Sequence, residues 1–296
     1  MRHKSSRPLR QPSWMLKARL ARRLLRRLRQ QIRYARFSLR GLPILFANSF
    51  PKSGTHLLTQ VLQAFTEIGP AVDSGLPAVV MYEGDSGRLR SEAEIIADLK
   101  RFLPGDIGYG HLHAFSQAVE ILAAPPFATY FILRDPRDVA ISHVHYVTEM
   151  EPRHAHYRLF AYEFSTFEER LAATITGVPW ADPPLPGLAD RFRPYLGWLN
   201  NPHVLTLQYE AFFADRQSIL RAILEHAIKR GFPLSQDLEG AIRVLASHIQ
   251  PQRSPTFRKG GAGGWREAFS PQHKKLFKEY CPDIVALLGY EKDDNW

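Results

Sequence analysis

The stretch Ile44-Leu-Phe-Ala-Asn-Ser-Phe-Pro-Lys-Ser-Gly-Thr55 decides how this chain folds. An apolar run, typical of a buried parallel strand, breaks into the turn Pro51-Lys-Ser-Gly-Thr55 and continues as an amphipathic helix to about residue 66. A turn at this place presents backbone N–H groups at a helix N-terminus, beside the positive charge of Lys52. It predicts a phosphate-binding loop. The alternative for so short a motif is a helix cap with a surface lysine.

The turn differs from the phosphate-binding loop of kinases and NTP-hydrolysing enzymes. That loop has four residues between two glycines and a Lys-Ser or Lys-Thr pair directly after its second glycine. Here Lys52 precedes Gly54, and the loop is shorter. The sequence therefore favours a phosphate site of another kind, with a P-loop kinase or NTPase-like phosphotransferase as the alternative.

Strands and helices alternate after this turn. Buried parallel strands are predicted at 44–48, 129–133 and 204–207. Helices are predicted at 55–66, 92–102, 137–147, 211–229, 238–248 and 271–288. The order predicts an α/β fold, a P-loop-like parallel sheet flanked by helices. Residues 69–90 and 150–193 follow neither pattern, and such long segments are typical of the walls of a binding pocket.

The positive charge of the chain is concentrated at its N-terminus. Residues 1–40 hold 14 of the 39 Lys and Arg residues and no acid, so residues 41–296 carry 25 basic residues against 29 acidic ones. Leucine and isoleucine recur every four residues in this arm, which predicts a basic amphipathic N-terminal helix at about 14–36. We therefore divide the chain into an arm, 1–40, and one domain, 41–296.

Three interpretations of the arm stay open. It binds an anionic membrane surface, it is an organelle transit peptide, or it packs its leucines on the domain and leaves its arginines in solvent. Its apolar runs are too short for a secretory signal or a membrane-spanning helix. Nucleic-acid binding is not expected, because the domain is net acidic. The lone cysteine, Cys281, fits a reducing compartment and a packed side chain.

Three further motifs carry side chains suited to anions or to proton transfer. In Leu133-Arg-Asp-Pro-Arg-Asp-Val-Ala-Ile-Ser-His-Val-His-Tyr146, an arginine ends a strand and a serine lies in the next helix. Arg258-Lys-Gly-Gly-Ala-Gly-Gly-Trp265 is a glycine-rich loop opened by two bases. Gly110-His-Leu-His113 ends a segment that we interpret as a strand, where a histidine can act as a general base. The alternative for the first motif is a surface turn, for the second a flexible linker, and for the third a metal site.

In chain order, PKSGT, GHLH, LRDPRDVAISHVHY and RKGGAGGW resemble the sulfotransferase family, in particular the soluble enzymes that use 3′-phosphoadenosine-5′-phosphosulfate (PAPS). The resemblance runs from residue 41 to about residue 280. It implies that 41–296 is a sulfotransferase domain.

The resemblance also implies roles for individual residues. The 5′-phosphosulfate would be bound by Lys52, Ser53, Gly54, Thr55 and His56. The 3′-phosphate would be bound by Arg134, Ser142, Arg258, Lys259 and Gly260. Tyr209 would contact adenine, His111 would be the catalytic base, and Lys52 would also be catalytic.

The chain departs from the family pattern near the first loop and the base. His56 and Leu57 stand where the family often has a threonine and a tryptophan that stacks on adenine. Tyr109 replaces a lysine before the base, His113 replaces a proline after it, and Gly264 replaces an aspartate. The adenine contact is thus incomplete, and His113 or His56 are alternatives to His111 as the base.

The implied reaction is in-line transfer of a sulfuryl group from PAPS to an acceptor hydroxyl, without a metal ion, leaving 3′-phosphoadenosine-5′-phosphate (PAP). Aromatic and apolar residues in 69–90 and 150–193 favour a lipid or another partly apolar alcohol as the small-molecule acceptor. The expected location is the cytoplasm, with peripheral membrane attachment as an alternative. A non-enzymatic membrane- or nucleic-acid-binding protein is the remaining alternative.

Overall fold

The computed structural model describes residues 13–253, 260–293 and 295–296, with side chains from residue 21 onward. Its centre is a six-stranded sheet in which every pair of neighbouring strands is parallel. The strands are β1 (Ile44–Ser49), β2 (Val72–Asp73), β3 (Val79–Val80), β4 (Asp106–His111), β5 (Phe127–Leu133) and β6 (Val204–Gln208). The order is β2-β4-β1-β5-β6, and β3 also pairs with β4. The predicted α/β fold is confirmed.

The helices follow the strands along the chain. They are α1 (Ser13–Arg33), α2 (Thr55–Gln63), α3 (Phe65–Ile68), α4 (Glu92–Leu99), α5 (Ser116–Ala123), α6 (Pro136–His145), α7 (Phe167–Thr176), α8 (Leu188–Phe192), α9 (Ala211–Ala214), α10 (Arg216–Lys229), α11 (Leu238–Ser247), α12 (Trp265–Ala268), α13 (Pro271–Tyr280) and α14 (Ile284–Leu287). Two π-helical turns, Tyr146–Met150 and Leu159–Glu163, and 3₁₀ turns at Arg193–Trp198 and Pro251–Arg253 complete the described elements.

Three predicted helices are each divided in two, for local reasons. The predicted helix at 55–66 ends at Gln63, and α3 continues after Ala64. The one at 211–229 breaks at Asp215, whose carboxylate accepts a hydrogen bond from the Ser218 N–H at 3.1 Å and so caps α10. The one at 271–288 breaks at Cys281-Pro282, because proline lacks the N–H that a helix interior needs.

The sheet is covered on both faces, as its sequence requires. Every residue of β1 and of β5 is buried. Along β1, Ile44 and Phe46 pack into one hydrophobic cluster, whereas Leu45 and Ala47 pack into the other. Alternate side chains of a strand point to opposite faces, so a continuous apolar run indicates helices on both sides.

The strand register brings the functional motifs to one edge. Asn48 lies opposite Gly110 of β4, and Ser49 lies opposite Ile132 of β5. The residues that follow these strands therefore meet at the carboxyl edge of the sheet, where open α/β sheets bind their ligands.

Helix α1 packs on the domain through arginines. Arg23 and Arg27 both form ion pairs with Asp106 at the start of β4, and the Asp106 side chain is fully buried. Arg23 also donates to the Arg101 carbonyl at 2.8 Å, and Arg26 lies 3.4 Å from the Asp73 carboxylate. A buried carboxylate needs such partners, because an unpaired buried charge is costly.

The apolar stripe of α1 faces away from the domain. Its large apolar residues are exposed, each by between 57% and 69%: Leu24, Leu25, Leu28 and Ile32. The interpretation in which the leucines pack on the domain and the arginines lie in solvent is therefore wrong for this part of the helix. No helix among the described residues is long and apolar enough to cross a bilayer. The division of the chain into arm and domain stays a prediction.

Candidate active site

The turn after β1 has the backbone of an anion-binding loop. Lys52 and Gly54 both have positive φ, 70° and 101°, and α2 begins directly afterwards at Thr55. A side chain at position 54 would put its Cβ 2.5 Å from Cδ2 of Tyr209, so only glycine fits there. The loop therefore lies against Tyr209 at the start of a helix, where N–H groups are available for an anion.

Lys52 is held in an unusual setting. Its Nζ lies 4.0 Å from the centre of the ring of Tyr146, the first residue of the first π-helical turn. Burial, and then the neighbouring charge of Arg134, lower the pKa of Lys52 to about 8. The ammonium is thus charged at neutral pH and poorly solvated, which favours the binding of an anion.

His111 ends β4 beside the same loop. Its Nδ1 is 3.1 Å from the Ser49 carbonyl oxygen and 3.0 Å from Ser49 Oγ. A carbonyl oxygen can only accept, so this contact favours a proton on Nδ1 and leaves the lone pair on Nε2. Burial lowers the pKa of His111 to about 4. The geometry gives a neutral imidazole whose Nε2 can accept a proton.

Arg134, which follows β5, joins the first loop to the glycine-rich loop. Its guanidinium donates to the Gly261 carbonyl at 3.1 Å and lies 4.6 Å from the centre of the Tyr209 ring. Asp138 on α6 accepts hydrogen bonds from the N–H groups of Gly263, at 2.8 Å, and Trp265, at 2.9 Å. The glycine-rich loop is thus tied to the Arg134 motif at its C-terminal part.

Trp265 is buried and covers a second arginine of that motif. The guanidinium of Arg137 lies 3.7 Å from the centre of a Trp265 ring and 4.5 Å from that of a Trp296 ring. It also pairs with Asp135 and Glu291, each at 2.7 Å. Arg137 therefore has a structural role, whereas Arg134 is the arginine of this motif that reaches the cavity.

One cavity of about 850 Å³ opens at this edge of the sheet. The predicted site residues that line it are Lys52, Gly54, Thr55, His56, His111, Arg134, Ser142, Tyr209 and Gly260. Ser53 does not line it, and its Oγ is buried without a hydrogen-bond partner among the described residues. Arg258 and Lys259 lie outside the described residues. We call the part formed by Lys52, Gly54, Arg134 and Tyr209 the loop side.

The rest of the cavity contains residues that the motifs do not include. We call the part formed by His143, His154, His156, Arg191 and Tyr195 the histidine wall, and all five line the cavity. Most of them fall in the predicted pocket segment 150–193. Apolar and aromatic residues of the predicted walls that line the cavity include Val80, Met81, Tyr82 and Leu185, whereas Tyr162 and Trp180 are exposed by 73% and 68%.

His113 and Phe213 also line the cavity. The His113 ring packs edgewise on Tyr195, with the ring centres 4.9 Å apart, and burial lowers its pKa to about 4. Phe213, on α9, is half exposed, and its ring centre is 5.2 Å from that of Tyr209. Ser49, which orients His111, and Phe213 were both missed by the sequence analysis. Ser49 could have been identified as the last residue of the strand before the loop.

Comparison with known proteins assigns the family of this chain. The family profile described as the sulfotransferase domain matches residues 129–289, more than half of the chain. The chain therefore belongs to the sulfotransferase domain family, as the motifs predicted. A comparison with curated protein sequences gives no match.

Solved structures that share this fold include a sulfotransferase and a retinol dehydratase. Mouse sulfotransferase SULT7A1, complexed with PAP, is 19% identical with a TM-score of 0.55, over 87% of this chain and 90% of that one. Retinol dehydratase in complex with androsterone and inactive cofactor PAP is 16% identical with a TM-score of 0.55, over 81% of this chain and 80% of that one. At this identity the likeness shows a shared fold.

Proposed function

We propose that this protein transfers a sulfuryl group from PAPS to the hydroxyl of a partly apolar acceptor. The observation that carries the proposal is the single cavity in which His111, Lys52 and Arg134 meet at the carboxyl edge of the sheet. Membership of the sulfotransferase domain family and the PAP complexes of proteins with this fold support it.

The loop side suits the phosphate groups of the donor. In the proposal, Lys52, Ser53, Gly54, Thr55 and His56 bind the 5′-phosphosulfate, and Arg134, Ser142 and Gly260 bind the 3′-phosphate together with Arg258 and Lys259. Arg134 Nε is buried and has no partner among the described residues. A buried donor without a partner is costly, so an incoming phosphate oxygen would stabilise it.

The adenine contact is assigned to two aromatic rings. Tyr209 and Phe213 line the cavity beside Gly54, and Phe213 is half exposed. Base–aromatic stacking contributes about 1–3 kcal/mol and tolerates different rings. In the proposal, Phe213 replaces the tryptophan that the first loop lacks.

The transfer step is assigned to His111. As the acceptor oxygen forms its bond to sulfur, the bond between sulfur and the 5′-phosphate oxygen breaks, and the acceptor proton goes to His111 Nε2. The Ser49 carbonyl holds Nδ1–H and keeps Nε2 free to accept. Lys52, charged at neutral pH, stabilises the negative charge that develops on the leaving phosphate.

The experiment that tests this proposal is transfer of labelled sulfate from PAPS to a panel of alcohols and phenols in the presence of a chelator. We expect transfer without added Mg²⁺, and none with labelled ATP as donor. Lys52→Ala should lower kcat/KM by roughly 10²-fold or more, because a preorganised charge at the leaving group is lost. Transfer that requires ATP and Mg²⁺ would favour the kinase alternative.

We further propose that α1 binds an anionic membrane surface with its apolar stripe. Leu24, Leu25, Leu28 and Ile32 form this stripe, and Arg22, Arg29 and Arg33 are exposed along one side of it. An apolar face flanked by arginines is complementary to the interface of a bilayer with anionic lipids. Because Arg23 and Arg27 fix the opposite side of the helix on Asp106, the stripe stays turned outward.

Vesicle sedimentation of the full chain tests this membrane proposal. We expect binding to vesicles of phosphatidylglycerol and phosphatidylcholine, weaker binding to phosphatidylcholine alone, and a decrease with salt. A variant with Leu24→Glu and Leu28→Glu should bind at least about tenfold more weakly, since a buried leucine contributes about 1.5–3 kcal/mol. The control is Leu287→Glu on α14, where leucine is exposed by 53%. Equal binding of both variants and the wild type would contradict the proposal.

A further inference from the structure

The histidine wall contains polar atoms that have no partner. Among the described residues, Arg191 Nε, His143 Nε2 and His156 Nδ1 are each buried without a hydrogen bond. All three residues line the cavity. Buried polar atoms of folded proteins are nearly always hydrogen-bonded, and leaving one without a partner costs about 1–3 kcal/mol. Three of them on one wall indicate a site that is completed by a ligand.

Arg191 brings a positive charge to this wall without a counter-ion. Its Nη2 donates to the Thr174 carbonyl at 3.0 Å, and no carboxylate of a described residue lies within 4.0 Å of it. The neighbouring Asp190 is 73% exposed and lies 3.9 Å from Arg193 instead. Burial lowers the pKa of Arg191 to about 10, so the guanidinium remains charged at neutral pH.

The groups around Arg191 do not neutralise this charge. Burial lowers the pKa of His143, His154 and His156, and the charge of Arg191 adds to this effect, so these histidines are neutral. Burial raises the pKa of Tyr195 and raises that of Cys281 to about 12, so neither is an anion at neutral pH. The wall is therefore a cation among neutral groups.

The hydrogen-bonding capacity of the wall restricts what can bind there. Arg191 has only donors, so its partner must supply an oxygen acceptor. His156 Nε2 is 2.9 Å from the Pro183 carbonyl, which only accepts, so the proton lies on Nε2 and Nδ1 offers a lone pair. The ring centres of His143 and His154 are 5.9 Å apart, and those of His154 and His156 are 5.5 Å apart, which makes the histidines one continuous surface.

We propose that the histidine wall binds an anionic oxygen group of the acceptor, a carboxylate or a phosphate, through Arg191. The acceptor is then an amphipathic hydroxy compound with an acidic group, rather than a neutral alcohol. This inference rests on the proposed function of the cavity, because it assigns the histidine wall to the acceptor and the loop side to the donor.

The test uses three probes of equal chain length: ω-hydroxylaurate, the corresponding ω-hydroxyalkyl phosphate and the α,ω-diol. Their binding to the full chain saturated with PAP is measured by calorimetry, and sulfate transfer from PAPS is measured in parallel. We expect one of the two acids to bind about tenfold or more tightly than the diol, as a hydrogen bond to a charged group contributes about 1.5–3 kcal/mol. The stronger of the two distinguishes a carboxylate site from a phosphate site.

Arg191→Met removes the charge at similar volume and should abolish the preference for the acid over the diol. The matched control is Arg193→Met, an exposed arginine two residues away, which should keep the preference. Thermal unfolding of both variants checks that they fold. Equal binding of acid and diol by the wild type, or a preference that survives Arg191→Met, would overturn the inference. In that case, transfer from PAPS to the diol would still support the proposed function. If the wild type does not bind PAP at all, the proposed function itself is contradicted.

Discussion

The loop side of the cavity is made by short turns at the ends of β1, β5 and β6, whereas the histidine wall is made by α6, α8, the 3₁₀ turn Arg193–Trp198 and the segment that holds His154 and His156. On the loop side, each residue closely follows a strand, the pairing of β1, β5 and β6 brings these strand ends together, and Gly54 has no room for a side chain. On the histidine wall, His143, His156 and Arg191 come from separate elements and leave polar atoms without partners. The difference indicates one side shaped for a fixed donor and another whose ligand completes it.

The largest effect is expected at His111, between the two sides. His111→Ala should lower kcat by roughly 10²–10⁴-fold, because proton transfer from the acceptor loses its base. Affinity for PAP, measured by calorimetry, should change little, since the described contacts of His111 Nδ1 are to Ser49.

The control for His111 is His113→Ala. His113 lines the same cavity, has a similarly low pKa of about 4, and packs edgewise on Tyr195. We expect it to alter KM for the acceptor more than kcat. If kcat falls in His113→Ala and is unchanged in His111→Ala, the base is misassigned. His113 rather than His111 would then be the base.

Gly54→Ala tests how rigid the loop side is. The new Cβ would meet Tyr209 at 2.5 Å, and φ of 101° disfavours any other residue. We expect affinity for PAP to fall by about 10–100-fold, from a backbone cost of about 1–2 kcal/mol together with displacement of the Tyr209 ring. Calorimetry with PAP gives the result.

Gly231→Ala is the matched control for this change. Gly231 has a similar φ of 94°, but a Cβ there would meet nothing within 4 Å. It should lower the free energy of unfolding by a comparable backbone cost and leave affinity for PAP unchanged. If Gly54→Ala and Gly231→Ala lose the same affinity for PAP, the loss is due to general destabilisation. The close fit of the loop to Tyr209 would then not explain it.

Phe213→Ala tests whether the loop side binds the adenine of the donor. Loss of one stacking ring should weaken PAP by about tenfold, within the 1–3 kcal/mol found for base–aromatic contacts. Binding of pyrophosphate, which has phosphates but no base, should be unchanged. Phe213→Tyr should restore the affinity. If PAP and pyrophosphate lose affinity equally, Phe213 stabilises the phosphate-binding loop and does not stack on adenine.

The two sides also differ in how far the sequence could predict them. Lys52, Gly54 and Arg134 were predicted because their roles depend on residues next to them in the chain and on strand ends that the apolar runs mark. Arg191 could not be found in this way, because a buried guanidinium without a counter-ion is a property of the packed fold. Neither motif spacing nor composition records which polar atoms lose their partners.

The orientation of α1 was hidden for a related reason. Its sequence gives an apolar stripe and many arginines, and nothing in that pattern distinguishes Arg23 and Arg27 from Arg22 and Arg29. Their partner, Asp106, lies some 80 residues away and is fully buried. The pairing of a buried carboxylate outweighs the usual tendency of leucines to face the domain, which reverses the orientation expected from amphipathicity alone.

A pH profile separates the two sides with the smallest perturbation. The pKa of Lys52 is about 8, lowered by burial and by Arg134, and only its charged form binds the donor phosphates well. We therefore expect kcat/KM to fall about tenfold per pH unit as the pH rises above about 8.

His111, with a pKa of about 4, must be neutral to accept a proton, so activity should rise through about pH 4 and be complete above it. Lys52→Arg should move the alkaline limb to higher pH and leave the acid limb in place. An alkaline limb that stays near pH 8 in Lys52→Arg would mean that this limb does not report the ionisation of Lys52.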